Sequence, residues 1–89
     1  MRAIVTVIAK DRVGIIASVC SMMAENGVNI LDISQTVLQE YLTMIMLVDA
    51  SGCDRPFSDL AKLVETRGQE QGLSIRMQRE DIFMAMHRI

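Results

Sequence analysis

At 89 residues the chain suffices for one small domain, which would bury about 60–65% of its unfolded surface and gain from dimerisation. Nine Lys and Arg stand against eleven Asp and Glu, with no basic run and only 3% aromatic residues, so neither phosphate contacts nor base stacking supports nucleic-acid binding. The composition is nevertheless 51% hydrophobic, and the core must be built from Ile, Val, Leu and Met.

The first predicted strand, about Arg2 to Ala9, is apolar on both faces: Ala3, Val5 and Val7 on one, Ile4 and Ile8 with Thr6 on the other. That pattern fits a central strand. Its apolar run is too short for a signal peptide or a membrane span. A turn through Lys10, Asp11, Arg12, Val13 and Gly14 leads into a helix from Val13 or Gly14 to Asn26, with Ile16, Val19, Cys20 and Met23 as its apolar stripe. Asn26-Gly27 stops it. The second strand runs from Val28 to Leu38, and its apolar parity shifts near Leu31, which predicts a bulge. Asn29, Asp32, Ser34, Gln35 and Thr36 mark it as an edge strand. After the turn Gln39-Glu40, Tyr41 to Asp49 is again apolar on both faces and central.

Asp54 and Pro56 then open a second helix, carrying Phe57, Leu60, Ala61, Leu63, Val64 and Gly68 and ending at Gly72. The last strand, Leu73 to about Arg79, alternates as a half-buried edge strand does. The tail that follows has acids first and bases last, as a short helix prefers. Residues 1–80 thus read as a single domain and residues 81–89 as a C-terminal helical tail.

The order β-α-β-β-α-β predicts an α+β, ferredoxin-like sandwich: an antiparallel sheet in the order 4-1-3-2, both helices on one face, plus the short C-terminal helix. Ile4, Ile8, Ile45 and Leu47 then occupy the face that the two helices leave open. Such a face calls for a lid, either the tail with Phe83 and Met86 or a second subunit.

This fold serves unrelated functions, so chemistry must decide among them. Copper transfer needs a cysteine pair in the first strand-to-helix loop, which is absent; RNA recognition needs aromatics on strands one and three, where only Tyr41 is near. An acylphosphatase-like hydrolase needs a phosphate-holding arginine in that loop and an asparagine on the third strand. Arg12 is in place, but the third strand offers Thr43 and no asparagine. No acid–base pair or nucleophile triad stands out, so no catalytic residue, metal site or cofactor is expected. His87 reads as a solvated helix-end side chain, Cys20 as packing and the eight methionines as adaptable filler. Cys20 and Cys53 lack metal or redox spacing, and without a secretory signal they suit a reducing cytoplasm.

The first strand-to-helix turn remains. Gly14 permits backbone angles that a Cβ forbids, and the free amides of a helix's first turn favour an anion such as a carboxylate. The structural alternative is that Asp11 caps the helix and Gly14 merely turns the chain. The run Asp11-Arg12-Val13-Gly14-Ile15-Ile16-Ala17, with Glu25-Asn26-Gly27-Val28-Asn29-Ile30-Leu31-Asp32-Ile33-Ser34-Gln35 after one helix, resembles the ACT domain family. The resemblance spans the whole β-α-β-β-α-β unit. It is nearest to small bacterial stand-alone ACT proteins and, more distantly, to the ACT repressor of the glycine cleavage system. It implies a regulatory module that binds an amino acid or related small carboxylate at an interface between paired domains. Asp11, Arg12, Val13, Gly14 and Ile15, with Asn29 and Ile30, would frame that site. Val13 stands where many ACT domains have proline, so this loop is less preorganised. The expected protein is a cytoplasmic homodimer that senses such a ligand and acts in trans on an unknown protein partner, without nucleic acid or membrane. The alternative is a ligand-free dimerising adaptor.

Overall fold

Strands β1 (Arg2–Lys10) and β3 (Tyr41–Asp49) lie side by side at the centre of a four-stranded antiparallel sheet, flanked by β2 (Asn29–Leu38) and β4 (Ser74–Arg79) in the order β2-β3-β1-β4. The computed structural model describes residues 1–86, so the readings made for His87 and the basic end of the tail lie outside the described residues. The two-sided apolarity of the central strands explains their position. Ala3, Val5, Val7, Leu42, Met44, Met46 and Val48 are buried on the face covered by helices α1 (Ile15–Glu25) and α2 (Phe57–Glu70). Each neighbouring residue on these strands faces the other way. The parity shift in β2 is a bulge, with the register against β3 slipping between Ile30 and Asp32.

Helix α2 buries Leu60, Val64 and Gly68, in line with its sequence pattern. Its approach to the sheet is close: a Cβ on Gly68 would stand 2.6 Å from Ile75 Cδ1. The sequence places Pro56 within the first turn, whereas it caps the helix from outside. Helix α1 differs from expectation in phase. It buries Ile15, Val19, Met22 and Met23, while Ile16 is 39% exposed and Cys20 only half-buried. Both stripes obey helical spacing, and the later start of the helix, after Gly14, turns the Ile15 stripe toward the sheet.

On the opposite face, a third helix, α3 (Glu80–Met86), packs on β1 and β4. Arg2 Nη2 to Glu80 Oε2 at 3.0 Å and Arg79 Nη2 to Asp81 Oδ2 at 2.8 Å fasten its first turn. Ile4 and Leu47 are half-buried, but Ile8 and Ile45 stay 49% and 41% exposed, so α3 is a partial lid. Among the described residues no helix is long and apolar enough to cross a membrane.

Candidate functional site

The turn after β1 is anchored before it begins to bend. Lys10 pairs with Tyr41, and the Asp11 amide donates to the Glu40 carbonyl at 2.6 Å, which ties the turn to the β2–β3 hairpin. Gly14 then caps α1 in the left-handed region, at φ 91° and ψ −1°. The first intrahelical bond runs from the Ser18 amide to the Gly14 carbonyl at 2.9 Å. Hence the amides of Ile15, Ile16 and Ala17 have no acceptor in their own helix. Among the described residues no side chain caps them, so the reading of Asp11 as a capping residue is corrected: the cap position falls on Gly14, three residues beyond Asp11.

These amides border a cleft of about 710 Å³ between the turn, the start of α1 and the far half of β2. Asp11, Arg12, Gly14 and Ile15 line one side together with Ile16 and Ala17, and Gln35, Val37 and Leu42 line the other. The register explains the second group. Gln35 pairs with Met44 and Val37 with Leu42, so both lie on the helix-side face, but α1 does not reach over them. Val37 is therefore 55% exposed, and Ile16 loses its own cover at the same place.

Arg12 is held from a distant part of the chain. Its Nη2 donates to the Gln71 carbonyl at 2.9 Å, and the Ser18 hydroxyl donates to Gln71 Oε1 at 2.5 Å. The cleft thus combines unpaired amides, a guanidinium with donors to spare, a carboxylate and an aliphatic wall. This set suits a small carboxylate carrying an apolar group. Among the described residues no group of three or more His, Cys, Asp or Glu side chains could hold a metal ion, and both cysteines are free and half-buried.

Of the residues expected from sequence, Asp11, Arg12, Gly14 and Ile15 come together here, while Val13 is wholly exposed and is not among the lining residues. Asn29 and Ile30 lie at the other end of β2, opposite Asp49 and Val48. Nine residues of strand, about 30 Å, separate Asn29 from the turn within one chain. Sequence reasoning missed Ile16, Ala17, Gln35, Val37 and Leu42 as lining residues, and Gln71 as the partner of Arg12. The spacing of Ile33, Gln35 and Val37 was the available signal for two of these.

Comparison with known proteins agrees with this fold. The ACT domain family profile matches residues 2–78. A UPF0237 protein of Clostridium acetobutylicum is 52% identical over 89 residues, spanning all of both chains. An ACT domain protein from Streptococcus pneumoniae superposes with a TM-score of 0.82 at 45% identity, over 98% of each chain. A structure described as a glycine cleavage system transcriptional repressor shares the fold, with a TM-score of 0.72 at 23% identity over 86% of this chain and 44% of that one.

Proposed function

Because the chain belongs to the ACT domain family, whose members are regulatory small-molecule-binding modules, we propose that it senses a small amino acid or related carboxylate in the cleft beside Gly14. The observation that carries this reading is the convergence of the Ile15, Ile16 and Ala17 amides with Arg12 and with an aliphatic wall in one open cleft. The amides and the guanidinium receive the carboxylate; Ile16, Val37 and Leu42 receive the rest of the molecule. The module is a binding protein, and its output acts in trans on a protein partner.

The sensing unit in this reading is a homodimer joined through β2. Every residue of β2 except Ile30 is exposed, and among the described residues its outer margin has no neighbouring strand. Antiparallel pairing of two β2 strands about their common midpoint would set the partner's Asn29 and Ile30 beside Val37 and Leu38, at the mouth of the cleft. That arrangement reunites the two sequence segments that one chain keeps apart. Ligand held between subunits then stabilises one dimer geometry over another.

Thermal unfolding against the twenty amino acids and a set of related small carboxylates, each at about 10 mM, tests the reading. A ligand at a hundred times its dissociation constant adds about 2.7 kcal/mol, which raises the midpoint of so small a domain by about 10 °C. A flat panel removes the sensor reading. It would leave the adaptor reading, which the exposure of Leu31, Val37 and Leu38 at 47%, 55% and 71% favours, as a surface for protein pairing alone.

A further inference from the structure

Helices α1 and α2 end in the same way. In the first, the Gly27 amide donates to Ala24 and the Val28 amide to Met23; in the second, the Gly72 amide donates to Gln69 and the Leu73 amide to Gly68, with bonds of 2.8–3.1 Å throughout. Among the described residues, the two caps differ in that the second accepts hydrogen bonds from another element through its cap residue. That residue, Gln71, accepts from Arg12 through its backbone carbonyl and from Ser18 through its side chain. These two donors flank the glycine that starts α1, and they come from 59 and 53 positions away in sequence.

The geometry points to Gln71 as the positioning residue for the ligand site, and as the route by which occupancy of the cleft reaches the α2–β4 turn. This inference rests on the proposed ligand site and adds its regulation. A guanidinium has five N–H donors in a rigid fork. Fixing one of them on a backbone carbonyl orients the others, so less freedom is lost when an anion arrives. Ser18 fixes the Gln71 side chain and thereby the cap whose carbonyl Arg12 uses. Coupling of this kind is reciprocal: if the cap steadies Arg12 for a ligand, the ligand steadies the cap. The cap leads at once into Leu73, which is 2% exposed in the core, and then into Ser74, which pairs with Ile8 of β1. The ring closes through β1 back to the turn at Asp11. Occupancy of the cleft therefore reaches β4, on the side of the sheet away from β2, without any large movement.

Amide hydrogen exchange tests the inference, with the cap of α1 as an internal control. In Arg12→Ala and in Ser18→Ala, exchange at Gly72 and Leu73 is expected to quicken about fivefold, the equivalent of one lost hydrogen bond, while Gly27 and Val28 stay unchanged. Equal effects at both caps, or none at either, overturn the grip on Gln71. The same measurement on the wild-type protein with each of the twenty amino acids and related small carboxylates at about 10 mM tests the relay. Any of these compounds that raises the unfolding midpoint is expected to slow Gly72 and Leu73 in the wild type and to slow them less in Ser18→Ala. A compound that raises the midpoint but leaves Gly72 unmoved overturns the relay and leaves the ligand site standing. A panel in which nothing raises the midpoint overturns the site and the relay together, even if the variants quicken exchange.

Discussion

Glu65 Oε2 accepts the amide of Met77 at 3.1 Å, so a helix side chain occupies the outer margin of β4. Strand β2 has no such cover, and the two edges of the sheet are therefore unequal. Lysine on an exposed edge is a common device against strand pairing. Ile33, already 38% exposed on β2, is the place to put it. Ile33→Lys is expected to shift the protein to monomer at low micromolar concentration, at a folding cost of about 1 kcal/mol. Glu65→Ala is expected to leave the assembly unchanged. Sedimentation velocity on the wild type and the two variants tests the proposed pairing through β2.

Gly14 has a left-handed backbone and nothing within 4 Å of where a Cβ would stand. A side chain there strains the backbone but meets no neighbour. Aspartate and asparagine are the residues that tolerate this conformation best, at about 1 kcal/mol. Gly14→Asp places a carboxylate at the unpaired amides, whereas Gly14→Asn brings similar bulk and strain without the charge. The aspartate variant is expected to lose ligand binding at least tenfold more than the asparagine variant, because only the former supplies a competing anion. Isothermal titration with the compound identified by the thermal panel reads the difference. Equal binding by both variants would place the ligand elsewhere.

The architecture was legible because β1 and β3 advertise burial on both faces, which admits few topologies once two right-handed crossovers are imposed. The bulge at Leu31 was legible for a similar reason: a parity change in a strand has few other causes. The phase of α1 was not, since Ile15 and Ile16 are both apolar and helical spacing accepts either one. The left-handed cap at Gly14 makes that choice, and no periodicity encodes it. The turn at Asp11 to Ile15 stood out in sequence through its glycine. Gln35 and Val37 did not, because they gain their role from the helix that fails to cover them. Gln71 was not legible, as its bond to Arg12 uses a backbone carbonyl that every residue possesses and its side-chain bond to Ser18 spans 53 positions.

A Cβ on Gly27 would stand 2.5 Å from the carbonyl oxygen of Gly52, and one on Gly52 would stand 2.7 Å from the carbonyl oxygen of Gly27. The turn after α1 and the loop after β3 thus meet backbone to backbone, next to the start of β2. Gly27→Ala combines this clash with a positive φ of 72°, and a cost of about 2–4 kcal/mol is expected. Gly52→Ala meets the clash without a left-handed backbone and is expected to cost less, about 1–3 kcal/mol. Urea unfolding of both variants gives the order, and a larger loss for Gly52→Ala would mean that the loop after β3 is the stiffer partner.

Asp49 closes the other end of the sheet. Its Oδ1 accepts the Ser51 hydroxyl at 2.6 Å, the Ser51 amide at 2.9 Å and the Met1 ammonium at 3.3 Å. The Ser51 hydroxyl and then its amide, with a further bond from the ammonium, lower the carboxyl pKa from 3.8 to about 2. A carboxylate whose pKa is depressed by folding binds fewer protons in the native state than in the unfolded one. Its contribution is therefore complete above the unfolded value of 3.8 and is lost as pH falls through about 2. Other carboxylates titrate in the same range, so the wild-type curve alone does not isolate this one. Asp49→Asn does, because the amide cannot titrate. The gap in unfolding midpoint between wild type and Asp49→Asn is expected to be constant from neutral pH to about 4 and to narrow steadily from there to about 2. A gap that stays constant across that acid range would show that the three donors bind the protonated acid as well as its anion.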